Sequence, residues 1–246
     1  MGLENILRKA RKSAVLLGRP SNRAALLRHG VAGSIEHDAV LKAEAVDVIV
    51  DVGANRGQFS LAGRHFHPQA RIVAFEPLAD AAAAYRKVFA GDDRVQLHQS
   101  AVGPMRGDAV MYRSASEDSS SLLPIGALMP ELYPGTEAAG TETVKLAPLT
   151  EFLTPTDLSG HALLKIDVQG YELEVLKSAG PLLPLFSRLY VEASFVPFYD
   201  GQPLTDEVIA YLREQDFQLV GFMNPSFHPV TGAAVQSDLL FTASRL

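Results

Sequence analysis

From residue 46 onward, short apolar runs alternate with segments whose apolar residues recur every three or four positions. The apolar runs are typical of buried strands and cover residues 46–52, 72–75, 163–166 and 189–191. The segments with helical periodicity cover residues 58–66, 79–90, 172–179 and 205–215. Such alternation predicts an α/β fold, with a mostly parallel sheet and helices on both of its faces.

The pattern changes in two places. Residues 217–222 and 236–242 are strand-like runs joined by a loop rich in turn residues, which predicts a C-terminal antiparallel hairpin. Between residues 103 and 145, two short strand-like runs flank a segment rich in Ser, Pro and Gly. We interpret that stretch as an insertion or lid within one domain that extends over residues 36–246, rather than as a linker.

Residues 1–35 form a separate N-terminal extension. Within it, residues 3–17 place apolar side chains at helical spacing and basic side chains off that stripe, which predicts a basic amphipathic helix. This pattern favours packing on the chain's own domain or on a second subunit, as in a homodimer, over a membrane surface or an acidic partner. The hydrophobic periodicity alone does not separate these alternatives.

Composition and charge indicate which partners and which cellular compartment to expect. Residues 1–30 contain seven basic residues and one acidic residue, whereas the remaining 216 contain 15 basic and 27 acidic residues. An acidic body argues against nucleic acid as a partner, because cationic side chains drive binding to phosphates. The sequence has no cysteine and no apolar run of transmembrane length, and its N-terminal apolar run is too short for an export signal, so a cytoplasmic location is expected.

The first predicted strand leads into a turn with the pattern Asp51-x-Gly53-x-Asn55-x-Gly57. The glycine spacing differs from that of dinucleotide-binding turns, and the Lys-[Ser/Thr] pair of triphosphate loops is absent. An amphoteric ligand such as S-adenosylmethionine fits better, with its carboxylate at the helix-start amides and its ammonium near Asp51. The alternative is a tight strand–helix turn without a ligand.

The next two predicted strands also end in polar or small residues. Glu76 ends the second strand, nineteen residues after Gly57, where an acid can accept hydrogen bonds from both hydroxyls of a ribose. Its alternative role is to complement the dipole of the following helix. Ser100 and Ala101 end the third strand, where they are expected to flank an adenine ring.

Further acids follow later strands. Asp167 ends an apolar strand just before Gly170, and Glu192 ends the next strand. Because the carboxyl ends of parallel strands meet at one edge of a sheet, both should lie beside Asp51 and Glu76. The alternative role of Asp167 is to cap the following helix.

These motifs carry a resemblance to a known family. The segments DVGANRG, AFEP, the serine cluster before Leu122, LLKIDVQGYELEVL, VEASFVPFYDGQPL and QSDLLF are similar to those of FkbM-type S-adenosylmethionine-dependent methyltransferases. The likeness extends from about Val46 to Phe241 and leaves out residues 1–35. It implies a class I methyltransferase fold, a seven-stranded Rossmann-like sheet, and methylation of a hydroxyl on a sugar, glycolipid or natural product.

The resemblance also assigns roles to residues. It implies that Gly53, Asn55 and Gly57 form the cofactor loop, that Glu76 holds the ribose and that Asp167 lies near the transferred methyl group. A hydroxyl acceptor needs a positioned base or a metal that acidifies it. Asp167 is the first candidate and Glu192 the second.

Two more residues complete the candidate set. His228, in the loop of the terminal hairpin, is a possible base. Asp238, from the last strand, joins Asp167 and Glu192 as a possible magnesium ligand, since hard cations prefer oxygen ligands. The same three acids are equally suited to binding hydroxyls of the acceptor.

Two functions from other classes remain open at this point. A nicotinamide-dependent oxidoreductase would share the sheet and Glu76, but the glycine spacing argues against it. A non-catalytic module that binds S-adenosylmethionine would keep the cofactor loop, and the presence of Asp167 and Glu192 argues mildly against that.

Overall fold

A computed structural model describes residues 15–244 of the 246-residue chain. Within them the helices are α1 (Pro20–His29), α2 (Asp38–Ala43), α3 (Gln58–Phe66), α4 (Ala79–Val88), α5 (Leu128–Leu132), α6 (Glu172–Ala179) and α7 (Thr205–Glu214). The strands are β1 (Val48–Val52), β2 (Arg71–Phe75), β3 (Val95–His98), β4 (Ala101–Val102), β5 (Gly107–Ser114), β6 (Ala138–Ala147), β7 (Ala162–Ile166), β8 (Arg188–Ser194), β9 (Phe217–Phe227) and β10 (Ala234–Ala243).

Seven of these strands form the central sheet, in the order β3-β2-β1-β7-β8-β10-β9. The pairs β1–β2, β2–β3, β1–β7 and β7–β8 are parallel, whereas β10 runs antiparallel to both β8 and β9. The expected class I methyltransferase fold, mostly parallel with a C-terminal antiparallel hairpin, is confirmed.

Burial on both faces explains why β1 and β7 are almost uniformly apolar. Every residue of these two strands is buried. One face of the sheet packs against α6 and α7, and the other packs against α2 and α3. The predicted helices at residues 58–66 and 172–179 match α3 and α6, whereas β8 and β9 are longer than predicted because their polar ends still pair with β10.

The segment between residues 103 and 145 lies over the carboxyl edge of the sheet. It contains β5, α5 and most of β6, and β6 pairs with β4 and β5 in a separate three-stranded sheet. Several hydrogen bonds attach the segment to the central domain, including two that hydroxyl groups donate. Ser121 Oγ donates to the carbonyl of Gln169 at 2.6 Å, and Tyr199 Oη donates to the carbonyl of Ser119 at 3.0 Å.

The N-terminal residues that the structure describes pack on the domain. Ala25 of α1 and Leu61 of α3 share an apolar cluster, and Arg19 forms an ion pair with Asp38. Most of the predicted amphipathic helix at residues 3–17 lies outside the described residues, so its homodimer role stays a prediction. No helix within residues 15–244 is long and apolar enough to cross a bilayer.

A row of polar side chains crosses the middle of the sheet on the α3 face. In the strand register Asp51 lies opposite Lys165, and Lys165 lies opposite Tyr190. Residues in register on adjacent strands point to the same face, so this pairing brings an ammonium and a carboxylate together inside the protein. Lys165 is only 5% exposed, and its Nζ lies 3.3 Å from Asp51 Oδ1.

The turn after β1 touches the turn after β7 through their backbones. Gly53 has a φ of +78°, and a Cβ atom at this position would lie 1.8 Å from the carbonyl oxygen of Asp167. Lys165 Nζ also donates to the carbonyl of Gly53 at 3.0 Å. Residue 53 must therefore be glycine, for both its conformation and its neighbour.

We predict that Gly53→Ala unfolds at a much lower urea concentration than the parent protein. The methyl group would force the two turns apart and strain a left-handed residue, at a combined cost of about 3 kcal/mol or more. Gly91→Ala is the matched control, because Gly91 has a φ of +87° with nothing within 4 Å of the added Cβ. It should lose only about 1 kcal/mol. Equal losses in the two variants would contradict the backbone contact.

We also predict that Lys165→Met destabilises the protein by about 3–5 kcal/mol, because Asp51 would remain buried without its counter-ion. Lys145→Met is the control. Lys145 pairs with Asp108 on the surface with 74% of its side chain exposed, so its loss should cost roughly 0–1 kcal/mol. Urea unfolding of both variants measures the difference, and a loss below about 1 kcal/mol in Lys165→Met would refute the structural role of the buried pair.

Candidate active site

Two cavities meet at the carboxyl edge of the central sheet. The first encloses about 650 Å³ and the second about 1440 Å³, in both cases including space open to solvent. The residues that line both are Gly53, Asn55, Asp118 and Asp167. Two ligands, one in each cavity, would therefore meet beside Asp167.

The first cavity contains the predicted ribose-binding acid. Glu76 is 6% exposed, and its carboxylate accepts hydrogen bonds from the backbone N–H groups of Asn55 at 2.9 Å and Leu78 at 2.8 Å. Burial raises the pKa of Glu76 to about 7, although these two hydrogen bonds oppose the shift. Ser100 and Ala101 line the same cavity, as predicted for the adenine end of a ligand.

Asn55 has an unusual conformation for a residue with a side chain. Its φ is +47°, a left-handed value that asparagine tolerates better than most residues. Its Oδ1 atom is buried and has no hydrogen-bond partner among the described residues. A buried oxygen without a donor is costly, so this atom is well placed to accept a hydrogen bond from a ligand.

Two residues of the predicted cofactor loop lie away from both cavities. Asp51 is fully buried, where it accepts a hydrogen bond from Ser60 Oγ at 2.7 Å and faces Lys165. Gly57 has a φ of +97°, and a Cβ atom there would lie 2.7 Å from the ring of Phe89. Both residues shape the turn by packing, and neither is positioned to touch a ligand, in contrast to the role expected from the sequence.

Asp167 holds the central position. Its side chain keeps 36% exposure where the cavities meet, lies 3.5 Å from Lys165 Nζ and accepts a 2.8 Å hydrogen bond from Gln169 Nε2. Burial by itself would raise the pKa of Asp167, but the ammonium of Lys165 and the bond from Gln169 outweigh it, and the net shift is downward. Asp167 is therefore ionised at neutral pH.

Glu192 lines the second cavity, and its pKa is shifted in the opposite direction. Gln169 Nε2 also donates to Glu192 Oε2 at 2.8 Å, which ties the two acids together. Burial, followed by the negative charges of Asp167 and Asp238, raises the pKa of Glu192 well above its usual range. The pKa values of the two acids predicted for this edge are therefore shifted in opposite directions.

The geometry does not support a magnesium site. Asp238 lines the second cavity, but its Oδ2 accepts hydrogen bonds from Tyr190 Oη at 2.8 Å and Asn224 Nδ2 at 2.7 Å. Within residues 15–244, no group of three or more acidic or histidine side chains is arranged to hold a metal ion. The predicted set of Asp167, Glu192 and Asp238 lies along one cavity wall, where at least one oxygen of each acid accepts a protein hydrogen bond.

His228 does not reach the site. It lines neither cavity, and its Nδ1 accepts the backbone N–H groups of Val230 at 3.2 Å and Thr231 at 3.3 Å within its own turn. The loop position that suggested a base leaves this histidine stabilising the hairpin turn, so the geometry gives no support to that role.

The sequence motifs did not predict several other polar residues of the site. Lys165 could have been recognised from the sequence, because a charged residue inside an otherwise apolar buried strand requires a partner. His37 and Asn224 gave no such signal, since they come from distant parts of the chain and meet Tyr190 only after folding.

Comparison with known proteins places the chain among methyltransferases. The chain matches the model of the methyltransferase FkbM domain over residues 51–219. It is 25% identical over 161 residues to the 2-O-methyltransferase NoeI of Sinorhizobium fredii, covering 63% of this chain and 66% of that protein. It is 29% identical over 151 residues to Methyltransferase 1 of Beauveria bassiana, covering 52% of this chain and 57% of that protein.

Both matches thus cover less than two thirds of the relative's own length. Among solved structures, a precorrin-6y C5,15-methyltransferase from Geobacter metallireducens overlaps 93% of this chain and 100% of its own, with 12% identity and a TM-score of 0.49. The family model covers more than half of the chain, including the turn after β1, Glu76, Asp167 and Glu192. The chain belongs to the FkbM methyltransferase family.

Proposed function

We propose that this protein transfers a methyl group from S-adenosylmethionine to a hydroxyl of a sugar, glycolipid or natural product. The observation that carries the proposal is the meeting of two cavities of different character beside Asp167. One has the shape and polar groups to hold a nucleoside, and the other has a wall rich in hydrogen-bonding side chains.

The residues of the first cavity fit S-adenosylmethionine. In this proposal Glu76 accepts the ribose hydroxyls, Ser100 and Ala101 flank the adenine, and Asn55, whose buried Oδ1 has no partner among the described residues, accepts a further hydrogen bond from the ligand. The cofactor supplies an activated methyl group on a positively charged sulfur. Asp167, ionised at the junction, is placed to stabilise that charge and to orient the two reactants.

The second cavity suits a polyhydroxylated acceptor. Its polar lining includes Ser34, Glu36, His37, Arg56, Gln58, Lys165, Glu192, Asn224, Ser226, Gln236, Ser237 and Asp238. Such a wall can offer hydrogen bonds to the hydroxyls of an acceptor, whereas an apolar acceptor would displace water from these polar groups without replacing its hydrogen bonds. The Sinorhizobium relative is a 2-O-methyltransferase, which agrees with an oxygen acceptor.

We further propose that the segment between residues 103 and 145 acts as a cover. Asp118 lines both cavities, and the neighbouring Ser121 is attached to Gln169. Closure over the junction would exclude water from the methyl donor. No observation favours the nicotinamide-dependent oxidoreductase over this reading.

The test is a mass-spectrometric screen for a gain of one methyl group on sugar, glycolipid and polyketide acceptors.

We predict that Asp167→Asn binds S-adenosylhomocysteine within about tenfold of the parent but turns over roughly 100-fold or more slowly, because only the charge at the reacting centre is lost. Asp93→Asn, at an exposed position in the turn between α4 and β3, is the control and should retain parental turnover. Normal turnover by Asp167→Asn would remove this residue from the chemical step.

The raised pKa of Glu76 gives a pH-dependent prediction. A ribose donates its hydroxyl protons to an ionised carboxylate, so S-adenosylhomocysteine should bind more tightly as pH rises through about 7. We expect affinity, measured by isothermal titration, to fall by roughly tenfold or more between pH 7.5 and 5.5. Glu76→Gln should bind weakly at both pH values, with no such slope. A pH-independent affinity in the parent would refute the ribose contact.

A further inference from the structure

The second cavity contains a histidine that has no role in the proposal above. His37 precedes α2, and its side chain makes no capping hydrogen bond to that helix. The ring is 17% exposed, lines the cavity and packs edge-on against Phe59 and Tyr190 at centroid distances of 5.3 and 5.5 Å. Its orientation is therefore fixed by packing on the sheet, and not by the helix that it begins.

Hydrogen bonding defines which ring nitrogen carries the proton. His37 Nδ1 lies 3.0 Å from Tyr190 Oη, and that hydroxyl donates its single proton to Asp238 Oδ2 at 2.8 Å. Asn224 Nδ2 also donates to Asp238, and it lies 3.2 Å from Tyr190 Oη and 3.5 Å from His37 Nδ1. Because the tyrosine proton is already used, Nδ1 must be the donor in its bond to Tyr190.

The other ring nitrogen, Nε2, then carries a lone pair. We find no hydrogen-bond partner for it within residues 15–244, although the same ring lines the acceptor cavity. A neutral imidazole with Nδ1 held by a tyrosine–carboxylate pair and Nε2 available is arranged as a proton acceptor. The tyrosine–carboxylate pair thus orients the imidazole, as a third group orients the base in enzymes that activate a nucleophile.

The charges around His37 support this state. Burial lowers the pKa of His37, while the negative charge of Asp238, whose carboxylate lies 3.7 Å from Nδ1, opposes the shift. Lys165 also lowers this pKa, and Glu36 and Asp167 raise it by smaller amounts. The net shift is downward, so the ring is neutral at pH 7 and is ready to take a proton.

We propose that His37 is the general base that deprotonates the acceptor hydroxyl, with Tyr190 and Asp238 positioning it. This inference rests on the proposed methyl transfer. The acceptor's O–H bond breaks and its proton moves to Nε2, while an oxygen electron pair forms the new O–CH3 bond. The S–CH3 bond of the donor breaks with its electrons passing to sulfur. One positive charge leaves sulfur as one appears on the imidazole, and the imidazole later returns its proton to solvent.

Asp167 is less suited to that step. Its pKa is held down by Lys165, and a base is most effective when its pKa lies near the working pH. The two residues therefore have different roles. Asp167 stabilises the positive charge of the donor, and His37 accepts the proton of the acceptor. His37 and Asp238 both lie outside residues 51–219, so family membership alone does not assign this pair.

The first experiment needs no acceptor. Long-range proton–nitrogen NMR of the uniformly nitrogen-15-labelled full chain reads the tautomer of each histidine, and the spectrum of His37→Asn assigns the signal. We expect neutral His37 at pH 7 with its proton on Nδ1, and a loss of that preference in Tyr190→Phe. A ring protonated on Nε2, or charged at pH 7, would overturn the proposal whether or not the protein proves to be a methyltransferase.

The second experiment uses the acceptor found by the mass-spectrometric screen. His37→Asn keeps an N–H donor near Tyr190 and suits the start of a helix, so it should fold and bind S-adenosylhomocysteine as the parent does. With saturating S-adenosylmethionine, so that the titration of Glu76 does not contribute, we expect its turnover to fall about 100-fold or more and the decline at acid pH of kcat/KM for the acceptor to disappear. The control His161→Asn, at an exposed position before β7, should keep both parental turnover and that decline.

The outcomes separate the two proposals. Loss of turnover in His37→Asn with an unchanged acid decline would show that His37 only packs the cavity wall, and would overturn its role as base. Loss of the acid decline in His228→Asn instead would do the same. Failure of S-adenosylhomocysteine to bind the parent protein would refute the proposed function, whereas the NMR result would still decide the state of His37.

Discussion

The site depends on one buried ammonium group. Lys165 sits in a strand that is otherwise apolar, and an unpaired charge there would be very unfavourable. Its Nζ reaches the carboxylates of Asp51 and Asp167 and the carbonyl of Gly53, which belong to two neighbouring strand ends. Because each contact satisfies part of the same charge, the turns after β1 and β7 are fixed relative to each other, and the junction of the two cavities follows from that.

The same ammonium also helps to explain why the acids at the sheet edge have different pKa values. The pKa of Asp167, which lies close to Lys165, is lowered, whereas that of Glu192, which lies next to Asp167, is raised. Carboxylates that lie close together repel one another, and a nearby cation favours the charged form of the acid beside it. Two acids with oppositely shifted pKa values and a neutral histidine therefore give the two cavities different electrostatic surroundings.

Different parts of the chain build the two cavities. The first is made mostly from strand ends and from the segment above them, which the family model covers. The wall of the second also uses residues 30–37 and the last two strands, which reach the site from opposite ends of the sequence. Under the proposed function, changes in these regions would alter acceptor binding with little effect on the nucleoside end.

The sequence by itself determined the alternation of strands and helices, the glycine turn, and the placing of Glu76, Asp167 and Glu192 at one edge, because periodicity and strand ends are local properties. Only the tertiary structure decided what each side chain faces. The strand register places Asp51 beside the buried side chain of Lys165. His228 forms hydrogen bonds within the hairpin turn and does not line the cavities. The approach of His37 to Tyr190, 153 positions away, depends on packing between distant segments, which no local pattern specifies.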